Sequence, residues 1–393
     1  MSRHRTPPRI LRNRAIAGLI VVGLVTLIAS AFGLLDSSGA DPVATSTSTS
    51  TSPSASSSAA ASGTPSGSAS ASAPAAASLN VYAKTSPGDI ADVARGHKAL
   101  VYVPNTLSNT VQVIDPATYQ VVDDFPTGRE PHHVVPAWDL SALYVNDTQG
   151  NDLIPVDPTT GKPGEKIPVV DPYNLYFSPD GKVALVMAER FNRIDVTDPK
   201  TFAVQRSLDM PCGGINHIDF DKDLEFFVGS CEFTGHLVVV DKHATKVIKT
   251  IDLNVHQTQG ATSPQEAYHS RLPQAGLRRG ASAMPQDVRL TPNGKFFLAA
   301  DMLRNGVWVI DAASLEFVKF IQTGKGAHSV YPSRDTKRLF VANRDEGTVS
   351  VLDSETLDIQ AKWTISGGGS PDMGGVSVDG SELWLSGRYH AEV

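Results

Sequence analysis

The chain has 393 residues, with 34 Lys and Arg against 41 Asp and Glu and a formal charge of −7. That balance, without a basic stripe interleaved with aromatic residues, gives no case for a nucleic-acid partner. Two cysteines exclude a disulfide-dense scaffold, and 41% hydrophobic residues leave room for a sizeable core.

Residues 1–14 carry Arg3, Arg5, Arg9, Arg12 and Arg14 and no acidic side chain, as a cytoplasmic basic tail would. Residues 15–35 are uncharged and rich in Ile, Val and Leu. As a helix they would be about 31 Å long, enough to cross a hydrocarbon core. The competing reading is a cleaved signal peptide, whose apolar region normally runs about 7–15 residues. The expectation is therefore an uncleaved transmembrane anchor in the cell membrane, and either reading exports the rest. Residues 36–78 are almost entirely Ser, Thr, Ala, Pro and Gly, with nothing to bury against ordering entropy, which predicts a disordered linker.

Residues 79–393 form the globular part. Short alternating runs rich in β-branched and aromatic residues are bounded by Gly, Asp, Asn and Pro, which reads as strands. Several runs end in Asp: Asp115, Asp157, Asp198, Asp241, Asp311 and Asp353. By subtraction the spacings are 42, 41, 43, 70 and 42 residues. A four-stranded repeat of about 40–45 residues is the mark of a β-propeller blade. The long spacing holds one period plus an insertion at 254–284. Turn tetrads recur as well, in Ser178-Pro-Asp-Gly181, Thr291-Pro-Asn-Gly294 and Ser377-Val-Asp-Gly380.

The runs Leu100-Val-Tyr-Val-Pro-Asn105 and Leu339-Phe-Val-Ala-Asn343 resemble the Tyr-Val-Thr-Asn (YVTN) repeat of bacterial seven-bladed propellers. The resemblance covers about residues 79–393 and implies an all-β fold of seven blades. Six units fall between Ile90 and Ile365, and a seventh begins at Gly374 and is incomplete at Val393. Leu79–Ala83 is expected to supply its outer strand. Propellers of this kind include lactonases, haem-d1 domains and surface proteins, so the likeness specifies fold more than activity.

Cys212 and Cys231 flank a hairpin whose turn lies near Asp221–Asp223, as cross-strand neighbours. In an exported protein that predicts a disulfide.

Chemistry is expected at one rim. The links into the innermost strands read Pro131-His132-His133, Pro172-Tyr173-Asn174, Ile215-Asn216-His217, Pro285-Gln286-Asp287, Ala327-His328-Ser329 and Pro371-Asp372-Met373. Loops between second and third strands add Glu189, Arg190, Glu232, Asp301, Arg304, Arg344 and Arg388. The insertion, with His256, His269 and Arg271, is expected to overhang the same face as a mobile flap.

His132, His133, His217, His328 and Asp287 form a candidate metal set, suited by imidazole and carboxylate to a divalent transition metal. Asn174, Glu189, Glu232, Asp301, Arg344, Asp372 and Arg388 are candidate ligand-binding residues, the arginines suiting an anion. Because successive strand residues face opposite sides, only one of each pair of link residues is expected to reach the axis.

Three functions compete on these residues: a binding or scaffold module for a small molecule, peptide or protein, which is the expectation; a metal-dependent, lactonase-like hydrolase, the runner-up; and a metal or haem carrier. Without a Cys-x-x-Cys-His motif, covalent c-type haem is excluded.

Overall fold

The computed structural model describes residues 82–258 and 281–393. The expected anchor at 15–35, the linker at 36–78 and most of the insertion, including His269, Arg271 and Arg278–Arg279, lie outside the described residues. Among those described, no helix is long and apolar enough to cross a membrane.

The described chain is an all-β propeller. Five four-stranded antiparallel sheets follow one another, with innermost strands at Pro131–Pro136, Pro172–Phe177, Ile215–Phe220, Pro285–Leu290 and Ala327–Pro332. A three-stranded sheet (Val101–Asn105, Thr110–Asp115, Gln120–Pro126) precedes them. A two-stranded sheet (Pro371–Val376, Leu383–Gly387) follows. Consecutive sheets pack face to face, and each gap holds its own apolar cluster. Trp308, Phe227 and Phe297 are the largest fully buried side chains. The first and last sheets meet where Tyr119 stacks on Trp384 at 5.7 Å and donates to Glu382.

The repeated Asp residues explain the blade period locally. The Oδ1 of Asp198 accepts from the backbone N–H of Lys200 and Thr201, that of Asp311 from Ala313 and Ser314, and that of Asp353 from Glu355 and Thr356. Each carboxylate closes the turn between third and fourth strands, as short acidic side chains do. Those hydrogen bonds hold all three carboxyls below their usual range.

Two expectations are corrected at the N-terminal side. The unit expected to begin near Ile90 lacks its innermost strand: a short 3-10 turn at Asp92–Ala94 stands there. Tyr82 is not in an outer strand. Its hydroxyl donates to Leu290 O at 2.6 Å, at the end of the inner strands away from the rim. Gly88 N–H donates to Val378 O, and Arg334 donates to Ser86 O and Asp89 O. The segment is thus held under the inner strands, where its backbone groups find partners.

Cys212 and Cys231 are bonded, with Cα atoms 5.9 Å apart. The register differs from the simple hairpin expectation: Ile215, not Cys212, pairs opposite Cys231. The disulfide joins the link before an innermost strand to the end of the strand beside it.

Candidate functional site

All six innermost strands carry an irregularity at the same place. Register shifts fall between Pro131 and His133, Pro172 and Asn174, Ile215 and Ile218, Pro285 and Val288, Ala327 and Ser329, and Pro371 and Gly374. A bulge breaks the strict alternation of a strand and re-aims side chains. In the first such link both members, His132 and His133, reach the same neighbour, contrary to the expectation that one would face the axis. His132 and His133 each contact Tyr173, with ring centroids at 4.7 and 5.5 Å. His133 also meets His217 edge-on at 5.2 Å.

These imidazoles are held neutral. Burial, then the positive field of Arg388, pushes His132 well below its ordinary value; burial and His217 do so for His133, and burial and His328 for His217. The tautomer of His217 follows from its neighbours. Leu175 N–H donates to Asn174 Oδ1 at 2.9 Å, which orients the amide so that Nδ2 faces His217 Nδ1 at 3.2 Å. The Tyr176 hydroxyl, which accepts from Asn174 Nδ2 and Ile218 N–H, lies 3.3 Å from the same Nδ1. Nδ1 is thus the acceptor and Nε2 carries the proton. That Nε2 is buried without a partner, as is Nε2 of His133.

Across the mouth stands a charged group. Asp372 Oδ1 lies 2.6 Å from Arg344 and 2.8 Å from His328 Nδ1, and Arg388 approaches Oδ2 at 4.0 Å. Burial would raise the Asp372 carboxyl, yet Arg344 and His328 hold it well below its usual range. Arg388 is the most exposed of the group and makes no close ion pair.

A second acidic group lies on the same rim. Glu189 and Glu232 lie beside each other, and Gln286 Nε2 donates to Glu232 Oε2 at 2.7 Å. Burial, reinforced by Glu232, drives Glu189 well above a normal carboxyl value, and burial raises Glu232 as well.

Several expected site residues are structural instead. Asp287 is not with the histidines: it pairs with Arg289 at 3.2 Å and accepts from Val330 N–H at 2.9 Å, tying two neighbouring inner strands. Asp301 accepts from the N–H groups of Met284, Leu303 and Arg304 and from Trp308 Nε1, so its lone pairs are spent on a turn. Asn174 orients His217. His256 stacks on Phe317 at 4.1 Å, over the strand farthest from the axis, rather than over the mouth.

Among the described residues, no three His, Cys, Asp or Glu side chains are grouped to hold a metal. The candidate set is divided for physical reasons: Asp287 serves Arg289, His328 serves Asp372, and His217 presents a proton rather than a lone pair. Tyr173 and Gln286 belong to the mouth but stand outside the expected metal and ligand sets, because neither ionises readily. Their place in the aligned links was the signal that marked them.

Fold and rim together define a β-propeller with a polar, partly unsatisfied channel mouth. The YNCE-like beta-propeller family model matches residues 67–201 and 273–393, and the chain belongs to that family. No curated protein matches the chain.

Among solved structures, hydrazine synthase from Kuenenia stuttgartiensis is similar in fold, with a TM-score of 0.59 at 17% identity over 78% of this chain and 92% of that one. The dihydro-heme d1 dehydrogenase NirN, in complex with DHE, gives 0.51 at 15%, covering 77% and 70%. A 6-phosphogluconolactonase candidate from Bacteroides uniformis gives 0.51 at 16%, covering 68% and 82%. Likeness at this identity speaks for fold alone.

Proposed function

We propose that the chain is an exported, membrane-anchored propeller that binds a small ligand at the mouth of its channel through an acceptor group such as a carboxylate. The observation that carries this reading is the partnerless Nε2–H of His217, buried beside the unpartnered Nε2 of His133 and facing a rim that also holds Arg344 and Arg388. A buried donor without a partner is costly, and an acceptor on the ligand would relieve it. Neutral imidazoles and a half-exposed arginine favour hydrogen bonding to an oxygen, with Arg388 supplying the charge.

Within the same proposal, residues 15–35 are the anchor. The sheet of Pro371–Val376 and Leu383–Gly387 is the inner half of a seventh blade, supported by its link Pro371-Asp372-Met373 in register with the other five.

The test is calorimetric titration of the purified full chain with acetate, butyrate and succinate, beside Zn²⁺ and Mn²⁺. Carboxylate binding that falls at least tenfold in both the His133→Ala/His217→Ala double variant and Arg388→Ala supports the reading. Metal binding lost in the double variant, with no carboxylate binding, would replace it with the metal-dependent hydrolase. No binding of either class would leave the rim as a wet channel lining.

A further inference from the structure

Glu189 and Glu232 come from different blades. Glu189 opens a short 3-10 turn after Ala184–Ala188, and Glu232 follows the strand Phe226–Cys231. Both are more than nine-tenths buried. Their carboxyls meet, one oxygen of Glu232 is taken by Gln286, and Oε1 of Glu189 has no partner.

An independent feature points at the same spot. Tyr173 is buried, with its ring against His132 and His133. The charges that act on it most strongly are Glu189 and Glu232. A phenol and two carboxyls, with an orphaned oxygen and an aromatic face, make a receptor for a cationic group with N–H donors.

The charges around the pair do not supply that cation. Glu189 is surrounded by Glu232, Asp171 and Glu130. Asp171 is occupied by Arg190 at 2.5 Å. Arg344 and Arg388 act on Glu232, but Arg344 is held by Asp372 at 2.6 Å and Arg388 is turned toward the same carboxylate at 4.0 Å.

We propose that Glu189 and Glu232, with Gln286 and the Tyr173 hydroxyl, bind the ammonium group of the ligand whose carboxylate meets the histidines and Arg388. The class of ligand is then a small amino acid or other amine-bearing acid. This rests on the carboxylate reading above and adds the second pole. An ammonium group fits better than a metal ion, since two carboxyls and an amide fall short of the ligand count that hard divalent cations take.

Both carboxyls are raised above their ordinary value, so a cation that binds them displaces a proton and binding tightens with rising pH. The gain is at most about tenfold per pH unit while the pair remains protonated.

The experiment titrates the full chain at pH 6 and pH 8 with butyrate, butylammonium and the series glycine, β-alanine, γ-aminobutyrate and 6-aminohexanoate, with Ca²⁺ and Mn²⁺ as controls. At least one amino acid is expected to bind tenfold or more tightly than butyrate at pH 8, with a smaller advantage at pH 6. Glu189→Gln and Glu232→Gln, which keep the shape of the pair, should each abolish that advantage while leaving butyrate affinity within about twofold. Melting curves confirm that each variant is folded, and either variant alone suffices for the comparison. The inference is overturned if amino acids bind no more tightly than butyrate, if neither variant reduces the advantage, or if only Ca²⁺ or Mn²⁺ responds to the substitutions. Failure of the carboxylate reading looks different: butyrate itself then fails to bind.

Discussion

Burial, and after it neighbouring arginines and histidines, pushes His132, His133, His217 and His328 below their ordinary value, and this links the rim to stability. A histidine whose folded pKa lies below its unfolded value of about 6.5 takes up its proton preferentially in the unfolded chain. Its contribution is fully present above pH 6.5 and is lost as pH falls toward the folded value. Each such group adds a slope of about 1.4 kcal/mol per pH unit in that window. The raised carboxyl of Glu189 acts in the opposite sense, losing stability as pH rises through its folded value, but it is common to wild type and variant. The His133→Ala/His217→Ala double variant should therefore show a shallower fall in stability between pH 6.5 and 5.5, by about 2–3 kcal/mol per unit. Urea melts across that range measure it; equal slopes would mean that these imidazoles titrate in the folded protein as they do in the unfolded chain.

At the scale of elements, the Cys212–Cys231 bridge stands directly behind two site residues. Cys231 precedes Glu232, whose N–H donates to Gly214 O at 3.0 Å. Cys212 lies in the link that delivers His217. The bridge spans a sequence separation of 19 and so limits the unfolded chain. Loop entropy gives about 3 kcal/mol for a loop of this size. Cys212→Ser/Cys231→Ser should lose about that much stability. It should also weaken ligand binding at the rim more than a variant of equal stability loss elsewhere. Chemical denaturation and calorimetry on the same samples separate the two effects. The bulges are the other device of this scale, since six of them at one height break the strict alternation of the innermost strands where the site residues stand.

For the whole molecule, protection should vary around the ring. The clusters between the third and sixth sheets contain many fully buried residues, among them Trp308 and Phe297. The cluster against the last sheet has only Phe340, Val349 and Val351 buried, all from one side. Beside it lies a groove of about 560 Å³ lined by Phe340, Trp363, Val376 and Leu383. Strand Leu383–Gly387 has one paired edge, the other meeting only a bridge from Gly387 to Glu392. Amide exchange should be fastest, among the strands, in Pro371–Val376 and Leu383–Gly387 and slowest in Phe296–Asp301 and Gly306–Asp311. Uniform protection around the ring would contradict this.

The repeat of strand-ending Asp residues was legible because the turn it closes is local: a carboxylate capping amides two and three residues on works in any blade. The same period placed the His, Tyr, Asp and Gln links at one rim, and the spacing of Cys212 and Cys231 disclosed their bond. What the chain order could not disclose was which neighbours each rim residue would meet. Asp287 and His217 hold equivalent places in their links, yet one faces Arg289 and Val330 and the other Asn174 and Tyr176. Glu189 and Glu232 stand 43 positions apart, and only the closing of blades around an axis brings their carboxyls together. Local hydrogen bonding and strand period determined the architecture from sequence; contacts between blades, set by tertiary packing, decided the chemistry of the mouth.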